Sequence, residues 1–273
     1  MKRLTIMSGE HLNPADLEKR CRGVSPAISA VIISGIMLII LGVASFVSMN
    51  LLELQLASTE FEQAKSNMLL LDEVIHDVAL RRGSGGYVQF NQRSGGIGIQ
   101  EREEALTILA GPPGEEEVIY SVTPLISIVY RGGGSASGSE MTLRGVSSLM
   151  VNMSSMLSHV RTEFDEGICI KLDYDRVRVI DLGEFLLCDG EENILHRFVE
   201  ISIIRLSKGP MGGSGTINLK AQNMGVNVTT RTYQGGNLSI KVRKGILEEG
   251  ISIYSGADET VIIITEADIR IST

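Results

Sequence analysis

Few side chains in this sequence have the type and spacing that catalysis or metal binding requires. The chain has four His residues, and no two of them have the spacing of a metal-binding pair. The Gly-rich segment 209–215 lacks the Lys-Ser/Thr of a phosphate-binding loop, and no G-x-S-x-G motif for a nucleophilic Ser is present. The sequence therefore predicts a protein that is not an enzyme and that uses no cofactor or metal. The His residues are His11, His76, His159 and His196.

Three carboxylates, Asp173, Asp175 and Asp181, are close enough in sequence to meet around a calcium ion. The remaining oxygen ligands of an EF-hand loop are missing at the required spacing. A solvated strand edge is therefore the favoured interpretation of these side chains.

The composition limits the classes of partner. The 273 residues carry a net charge of −8, and they suffice for one or two domains with a proper core. Binding to nucleic acid needs clustered Lys and Arg, so we expect no nucleic acid partner. Aromatic residues make up 4% of the chain and Trp is absent, which predicts an aliphatic core.

One long apolar stretch must position the rest of the chain. No charged residue occurs between Val24 and Leu52, and a helix of about 20 apolar residues spans a bilayer. We predict a transmembrane segment at residues 27–49. Basic residues precede this segment and Glu53 is the first charge after it, which places the N-terminus in the cytoplasm and the bulk of the chain outside the cell. The basic residues are Lys19, Arg20 and Arg22.

The start of this helix has its own signals. Ser25 is a good N-cap, and Pro26 suits the first helical position, where its missing N–H costs nothing. The helix is therefore expected to begin within a residue or two of Gly23. A protease at the cytoplasmic membrane face would meet a charged, extended segment immediately before it.

This order of features resembles the class III signal peptide of archaeal type IV pilins and archaellins. In that family, basic residues and a Gly or Ala precede a short apolar-Ser-Pro start to a long apolar helix. The resemblance, which covers Lys19 to Arg82, implies that a prepilin peptidase removes the leader 1–23 by cutting between Gly23 and Val24. The recognition segment would comprise Lys19, Arg20, Arg22, Ser25 and Pro26.

The resemblance also implies partners. They are the membrane, the prepilin peptidase, the pilus assembly platform with its ATPase, and other pilin subunits. Bacterial pilins usually have Glu at the fifth mature position, where this chain has Ile28. An ionised group in the lipid core costs about 2.5–3.5 kcal/mol, and its absence here fits the archaeal pattern better.

Helical periodicity continues past the membrane segment. Apolar residues recur at alternating spacings of three and four, which predicts a helix packed lengthwise on another surface. Gly83 is a natural C-cap, so one long helix is expected over residues 24–82. Gly35 and Gly42 lie one heptad apart and would let neighbouring apolar helices approach closely. The periodic residues are Leu54, Ala57, Phe61, Ala64, Met68, Leu71, Ile75 and Val78.

Residues 83–273 predict an extracytoplasmic, β-rich head. Ten or so short β-prone runs, separated by Gly clusters, favour an antiparallel sandwich, so the fold class is α+β. The segments 93–96 and 235–237 are typical of hairpin turns. Residues 146–164 fit a helix and strands equally well.

Two further features concern covalent chemistry. Cys169 and Cys188 could form a disulfide outside the cell, or each could be a small buried hydrophobic residue. Asn152, Asn227 and Asn237 begin N-x-Ser/Thr triplets and are candidate glycosylation sites.

These observations favour a structural subunit of an archaeal type IV pilus-like surface filament. One alternative is a minor pilin or pseudopilin of a secretion or adhesion system, which the long head would suit. Another is an uncleaved membrane-anchored binding protein that presents the β domain outside the cell.

Overall fold

The computed structural model describes residues 26–189 and 192–273, without the side chains of residues 188, 189 and 192. The chain divides into two compact units, one ending at Glu53 and one running from Leu54 to Thr273. The described part contains one long helix, α1 (Pro26–Ala79), and fifteen strands. This α+β architecture is the one that the sequence predicted.

The part of α1 in the first unit is apolar and exposed on all sides. Of residues 26–53, only Ser29 is partly covered. An 18-residue window here has a mean hydropathy of 2.7, so the helix is long and apolar enough to cross a bilayer. The Ser34 hydroxyl donates to the carbonyl oxygen of Ala30 at 2.8 Å, which satisfies a polar group inside the apolar segment. Within the described residues, α1 begins at Pro26.

The part of α1 in the second unit buries a continuous stripe, which we call the seam. Seven of the eight predicted residues are buried, and Met68, Leu71 and Ile75 are fully inaccessible. The prediction was wrong for Leu54, which is 48% exposed because the stripe begins one turn later. The seam consists of Ala57, Phe61, Ala64, Met68, Leu71, Ile75 and Val78.

Three sheets form the rest of the second unit. The strands are β1 (Gly85–Gln92), β2 (Gly96–Arg102), β3 (Leu106–Gly111), β4 (Glu117–Val122), β5 (Leu125–Arg131), β6 (Met141–Arg144), β7 (Met150–Val151), β8 (His159–Phe164), β9 (Ile168–Asp173), β10 (Val177–Asp189), β11 (Glu192–Lys208), β12 (Gly215–Gln234), β13 (Leu238–Lys244), β14 (Leu247–Ile253) and β15 (Glu259–Ser272).

The central sheet has the strand order β1-β12-β15-β11-β10-β7. Its β11–β15 and β10–β7 pairs are parallel, and its other pairs are antiparallel. The second sheet, β2-β5-β9-β8-β6, and the third sheet, β14-β13-β3-β4, are antiparallel throughout. The head is thus mostly antiparallel.

The central sheet packs on opposite faces at its two ends. On β11, Val199, Ile201 and Ile203 belong to a core shared with the third sheet, whereas Ile204 and Leu206 belong to a core shared with α1 and the second sheet. Side chains alternate between the faces of a strand, so the change from odd to even numbers is a change of face. One sheet therefore supports two separate cores.

The end of α1 is fixed by a distant side chain. The helix stops at Ala79, three residues before the predicted end. The Asn223 side chain of β12 donates Nδ2–H bonds to the carbonyl oxygens of Val78, at 2.9 Å, and Ala79, at 3.3 Å. These carbonyls have no partner within a helix, so Asn223 caps the helix and holds its end against the central sheet. Gly83 follows with a φ of 74°, which a Gly adopts freely.

Two glycines let α1 lie close to the strands. A Cβ on Gly86 of β1 would be 2.6 Å from Cγ1 of Val74. A Cβ on Gly132 would be 3.1 Å from the Phe61 ring and 2.8 Å from Ala136. At both places the backbone approaches its neighbours as closely as it does because no side chain is present.

Residues 146–164 contain two strands joined by turns and irregular structure and no helix, so the helical alternative is wrong. β7 and β8 occupy this segment, with Leu157 and Val160 buried in the core that contacts α1. The apolar residues fit a helical period by spacing alone. Strand pairing with β9 and β10 decides the matter, because a short apolar run takes the structure of its neighbours.

Both predicted hairpins are also wrong. Residues 93–96 connect β1 of the central sheet to β2 of the second sheet, and residues 235–237 connect β12 to β13 of the third sheet. A Gly-rich turn changes the direction of the chain in either case. The turn residues do not encode whether the next strand pairs with the last one or crosses to another sheet.

The seam predicts a specific stability change. A Met68→Ala substitution removes a fully buried side chain and leaves a cavity, so we expect the free energy of unfolding of the head to fall by about 2–5 kcal/mol. Leu70→Ala is the matched control, since Leu70 is on the same helix but 49% exposed. Urea unfolding of the detergent-solubilised protein, followed by circular dichroism, measures both. Equal losses would contradict the assignment of the buried face.

Candidate functional site

A carboxylate on α1 holds the connection between the central and second sheets. Glu60 Oε1 accepts the backbone N–H of Arg93 at 3.0 Å, and Oε2 accepts the backbone N–H of Ser94 at 3.1 Å and its hydroxyl at 2.6 Å. Gly95 N–H lies 3.4 Å from Oε1. One side chain thus orders the turn that carries the chain from one sheet to the other.

These bonds outweigh the effect of burial on Glu60. Burial alone would raise the pKa of the carboxyl, but hydrogen bonds from Ser94, Tyr130 and Gly95 hold the pKa below its ordinary value of 4.5. The group is therefore ionised at neutral pH. It acts as a fixed negative charge surrounded by donors.

Tyr130 of β5 completes the environment of Glu60. Its hydroxyl donates to Glu60 Oε1 at 3.0 Å. Its ring centroid lies 6.4 Å from that of Phe61 and 6.3 Å from that of Phe90. Burial and the neighbouring Glu60 raise the pKa of the phenol, so it stays protonated and donates. Polar and aromatic contacts thus converge from α1, β1 and β5.

A second acid, Asp72, lies beside the seam and is 3% exposed. The Tyr174 hydroxyl donates to Asp72 Oδ1 at 2.5 Å, and Arg144 Nη1 donates to Oδ2 at 3.1 Å. Arg144 also contacts Glu73 Oε1 at 2.9 Å. Since a buried charge must be paired, these bonds explain how an ionisable side chain is accommodated next to the apolar stripe.

Asp173 and Asp175, two of the three acids considered for calcium binding, have cationic partners instead. Asp173 accepts from Arg161 at 2.6 Å and from Arg176 at 2.7 Å. Burial alone would raise the pKa of Asp173, but the two guanidinium groups lower it to about 2. Asp175 is paired with Arg102 and with Lys244, the latter at 2.8 Å. These residues come from the second sheet, the third sheet and the connection from β9 to β10, so the ion pairs join the second sheet to the third.

Asp181 is more exposed and accepts two bonds from the guanidinium of Arg197 on β11. Asp181 lies within β10, whereas Asp173 ends β9 and Asp175 lies in the connection between the two strands. Within residues 26–187 and 193–273, no group of three or more His, Cys, Asp or Glu side chains could hold a metal ion.

The three described histidines occupy different environments. His159 is 6% exposed next to Arg161, and burial together with the charge of Arg176 lowers its pKa to about 4. It is therefore neutral at physiological pH. His196 lies 3.4 Å from Glu259, and His76 is in the last turn of α1. His11 is outside the described residues.

The predicted leader, the cleavage site and all of the recognition segment except Pro26 also lie outside the described residues. This applies to Lys19, Arg20, Arg22, Gly23, Val24 and Ser25. Among the predicted packing residues, a Cβ added at Gly35 or Gly42 would meet nothing within 4 Å.

Cys169 is a free, buried cysteine on β9. Its Sγ donates to the carbonyl oxygen of Glu163 at 3.3 Å, and burial raises the pKa of the thiol. Of the two predicted alternatives for this residue, the structure has the buried small side chain and not the disulfide. The side chain of Cys188 is outside the described residues.

The three predicted glycosylation sites are all exposed. Asn152 accepts bonds from the backbone and the hydroxyl of Ser154, at 3.1 and 2.9 Å. Asn227 lies on β12, and Asn237 lies in the connection from β12 to β13. Their use as acceptors stays a prediction.

The sequence pattern did not predict the contacts of Glu60 and Asp72. The one signal in the sequence that could have revealed these contacts is the position of each acid next to the apolar seam, where a carboxylate needs a partner. The donors are 33–35 positions away for the Glu60 backbone contacts and 102 positions away for Tyr174. Spacing along the helix contains no information about such partners.

Comparisons of the chain with protein-family models, with curated proteins and with solved structures found no match.

The Glu60 contacts predict a pH-dependent stability. The pKa of Glu60 is lower in the folded protein, so the unfolded chain takes up the proton first as the pH falls below 4.5. The stabilisation is fully present above that pH and is lost as the pH falls through the folded-state pKa. We expect Glu60→Gln to cost about 1.5–3 kcal/mol at pH 7 and to remove this part of the acid dependence.

Glu62→Gln is the control for this experiment. Glu62 lies on the same helix and contacts only Lys65 in an exposed pair, which contributes about 0.3–0.5 kcal/mol. Thermal unfolding from pH 3 to pH 7 would compare the two variants. An unchanged acid dependence in Glu60→Gln would show that Glu60 does not hold the turn.

Proposed function

We propose that this chain is a structural subunit of an archaeal type IV pilus-like surface filament. It is made as a precursor and cut between Gly23 and Val24 by a prepilin peptidase. The apolar part of α1 then polymerises with the same part of other subunits. The β-rich head faces the outside of the cell.

The observation that carries this proposal is the complete exposure of an apolar helix. Ile33, Leu38 and Phe46 are 60%, 71% and 68% exposed, and they point in different directions around the helix. No single membrane-facing or protein-facing side is distinguishable. Such a helix suits lipid on all sides, and it equally suits the centre of a bundle of identical helices.

The energetics support this use of the helix. Each Leu or Ile left in water would lose about 1.5–3 kcal/mol, so the chain needs a membrane, a detergent or a polymer around residues 26–53. Transfer from lipid into a helix bundle exchanges one apolar environment for another and therefore costs little. The small residues Gly35 and Gly42 then allow close packing.

The proposed topology has a single membrane crossing. Lys19, Arg20 and Arg22 favour a cytoplasmic N-terminus, and the first acid after the span is Glu53. The head would then lie outside, where Asn152 and Asn227 could accept glycans. The pilus assembly platform and its ATPase are the partners expected on the cytoplasmic side.

Two other functions use the same helix. A minor pilin or pseudopilin is favoured by the head, which has three sheets and two cores. An uncleaved membrane-anchored binding protein would keep the leader. The N-terminus of the extracted protein separates the last of these from the pilin functions.

Processing of the leader is the first test. We expect N-terminal sequencing of the membrane-extracted protein to begin at Val24, and we expect Gly23→Asp to leave the leader attached, because the small residue at the cut would be lost. Gly9→Asp makes the same change elsewhere in the leader and should be processed normally. An intact leader in the wild type would rule out the filament proposal and retain the membrane-anchored alternative.

Helix packing is the second test. A Cβ at Gly42 would meet no described atom within 4 Å apart from the backbone of its own helix, so we expect Gly42→Leu to obstruct contacts with other helices and to leave the fold of the head intact. We expect filaments seen by electron microscopy to become several-fold fewer, with normal amounts of processed subunit in the membrane. Val43→Leu, at a 59% exposed neighbouring position, is the control. Normal filaments in Gly42→Leu would exclude close packing at this glycine.

A further inference from the structure

The central sheet has two free edges at the same end. β1 covers the edge of β12 only from Gly215 to Gln222. β7 covers the edge of β10 only at Val177 and Arg178. Beyond those residues, the described strands place no partner on the outer side of β12 or of β10. Each strand therefore presents unpaired backbone N–H and C=O groups.

The free part of β12 is suited to pairing. Residues 227–232 are exposed on both faces of the strand. They include Val and Thr, which favour strands, and Arg231 is their one charge. Pro residues and multiple charges normally protect an edge, and this segment has neither.

The two edges run in the same direction. β12 is antiparallel to β15, β15 is parallel to β11, and β11 is antiparallel to β10. β12 and β10 are therefore parallel to each other across the sheet. A second copy placed beside the first in the same orientation would bring its β10 next to this β12 as a parallel strand.

The register across the sheet aligns the charges of the two edges. Arg231 pairs with Ile262, which pairs with Val199, which pairs with Asp181. Arg231 and Asp181 are thus in the same row and on the same face. If a second copy is moved sideways in the plane of the sheet, with no shift along the strand direction, Arg231 of one copy lies beside Asp181 of the next.

We propose that the free edge of β12 binds the free edge of β10 in a second copy of this chain. Six residues of β12 would then pair with β10 of the second copy. The paired segment runs from Thr229, beside Val179, to Gln234, beside Phe185. That is the length of an ordinary strand, about 5–6 residues. The contact is made by the heads and does not require the apolar helix.

Charge favours this arrangement over pairing of like edges. Two copies of β10 paired antiparallel would bring Asp181 of one copy near Glu184 of the other, and like charges opposite each other are destabilising. Arg197 of β11 already contacts Asp181 and Glu184 within the subunit, and Arg231 of the β12 edge adds a second cation beside these two acids. The pairing is therefore head-to-tail, with different surfaces on the two copies.

Head-to-tail contacts continue from copy to copy. The next copy again presents a free β12 edge, so the array does not close by itself. Because adjacent strands rotate by about −20 to −25°, the array winds into a helix. All copies have the same polarity.

Cross-linking between two variants tests the pairing. Full-length Thr230→Cys and Ile180→Cys forms carry different tags and are co-expressed, since these residues are in the same row. Both forms also carry Asn227→Gln, so that no glycan covers the β12 edge. A short bis-maleimide is added to intact membranes, and the linked peptides are identified by mass spectrometry.

We expect a link between position 230 of one form and position 180 of the other. Asn218→Cys, which lies on β12 where β1 covers the edge, should give no link to position 180. Arg231→Glu should lower the yield several-fold, and Lys220→Glu on the covered part of β12 should leave it unchanged. Circular dichroism confirms that each variant is folded.

Other outcomes would overturn the pairing. The absence of a 230–180 link in folded variants would do so, as would a 230–230 link formed by Thr230→Cys alone. Filaments without the 230–180 link would exclude this pairing and retain the filament. The link together with an unprocessed leader would retain the pairing and exclude the filament.

Discussion

Burial of the seam against two sheets is the contact on which the head depends. Six of the seven seam side chains of α1 enter one core with residues of the central and second sheets. With Trp absent and aromatics at 4%, this core is built from aliphatic groups around Phe61, Phe90 and Tyr130. Each buried large side chain contributes about 1.5–3 kcal/mol. The seam also requires close approach, which Gly86 permits.

An apolar stripe alone decides which face of a helix is buried. It does not determine the position of the helix along its own axis relative to the strands. Polar contacts at three positions along α1 fix its axial position here. Glu60 binds the turn after β1, Asp72 binds Tyr174 and Arg144, and Asn223 caps the last turn. Hydrogen bonds are directional and fail when displaced, so they select one register among several that bury similar area.

The use of both faces of the central sheet has consequences for its edges. At one end its core lies toward α1, and at the other end its core lies toward the third sheet. The short strands β1 and β7 extend along only one part of the sheet, so β12 and β10 remain unpaired in the other part. The central sheet thus contributes to two cores and still has unpaired backbone groups on β12 and β10.

The sequence by itself determined the elements whose signal is local. The apolar run after Lys19, the Pro26 start and the spacing of the seam specify a long helix with one buried face, and β-prone runs specify a strand-rich head. Only tertiary structure decided that residues 146–164 hold two strands instead of a helix, that both Gly-rich turns cross between sheets, and that Cys169 is a buried thiol. It also decided the partners of Glu60, Asp72 and Asp173. Periodicity records which side of an element is apolar, whereas pairing and ion contacts depend on which distant segment folds against it.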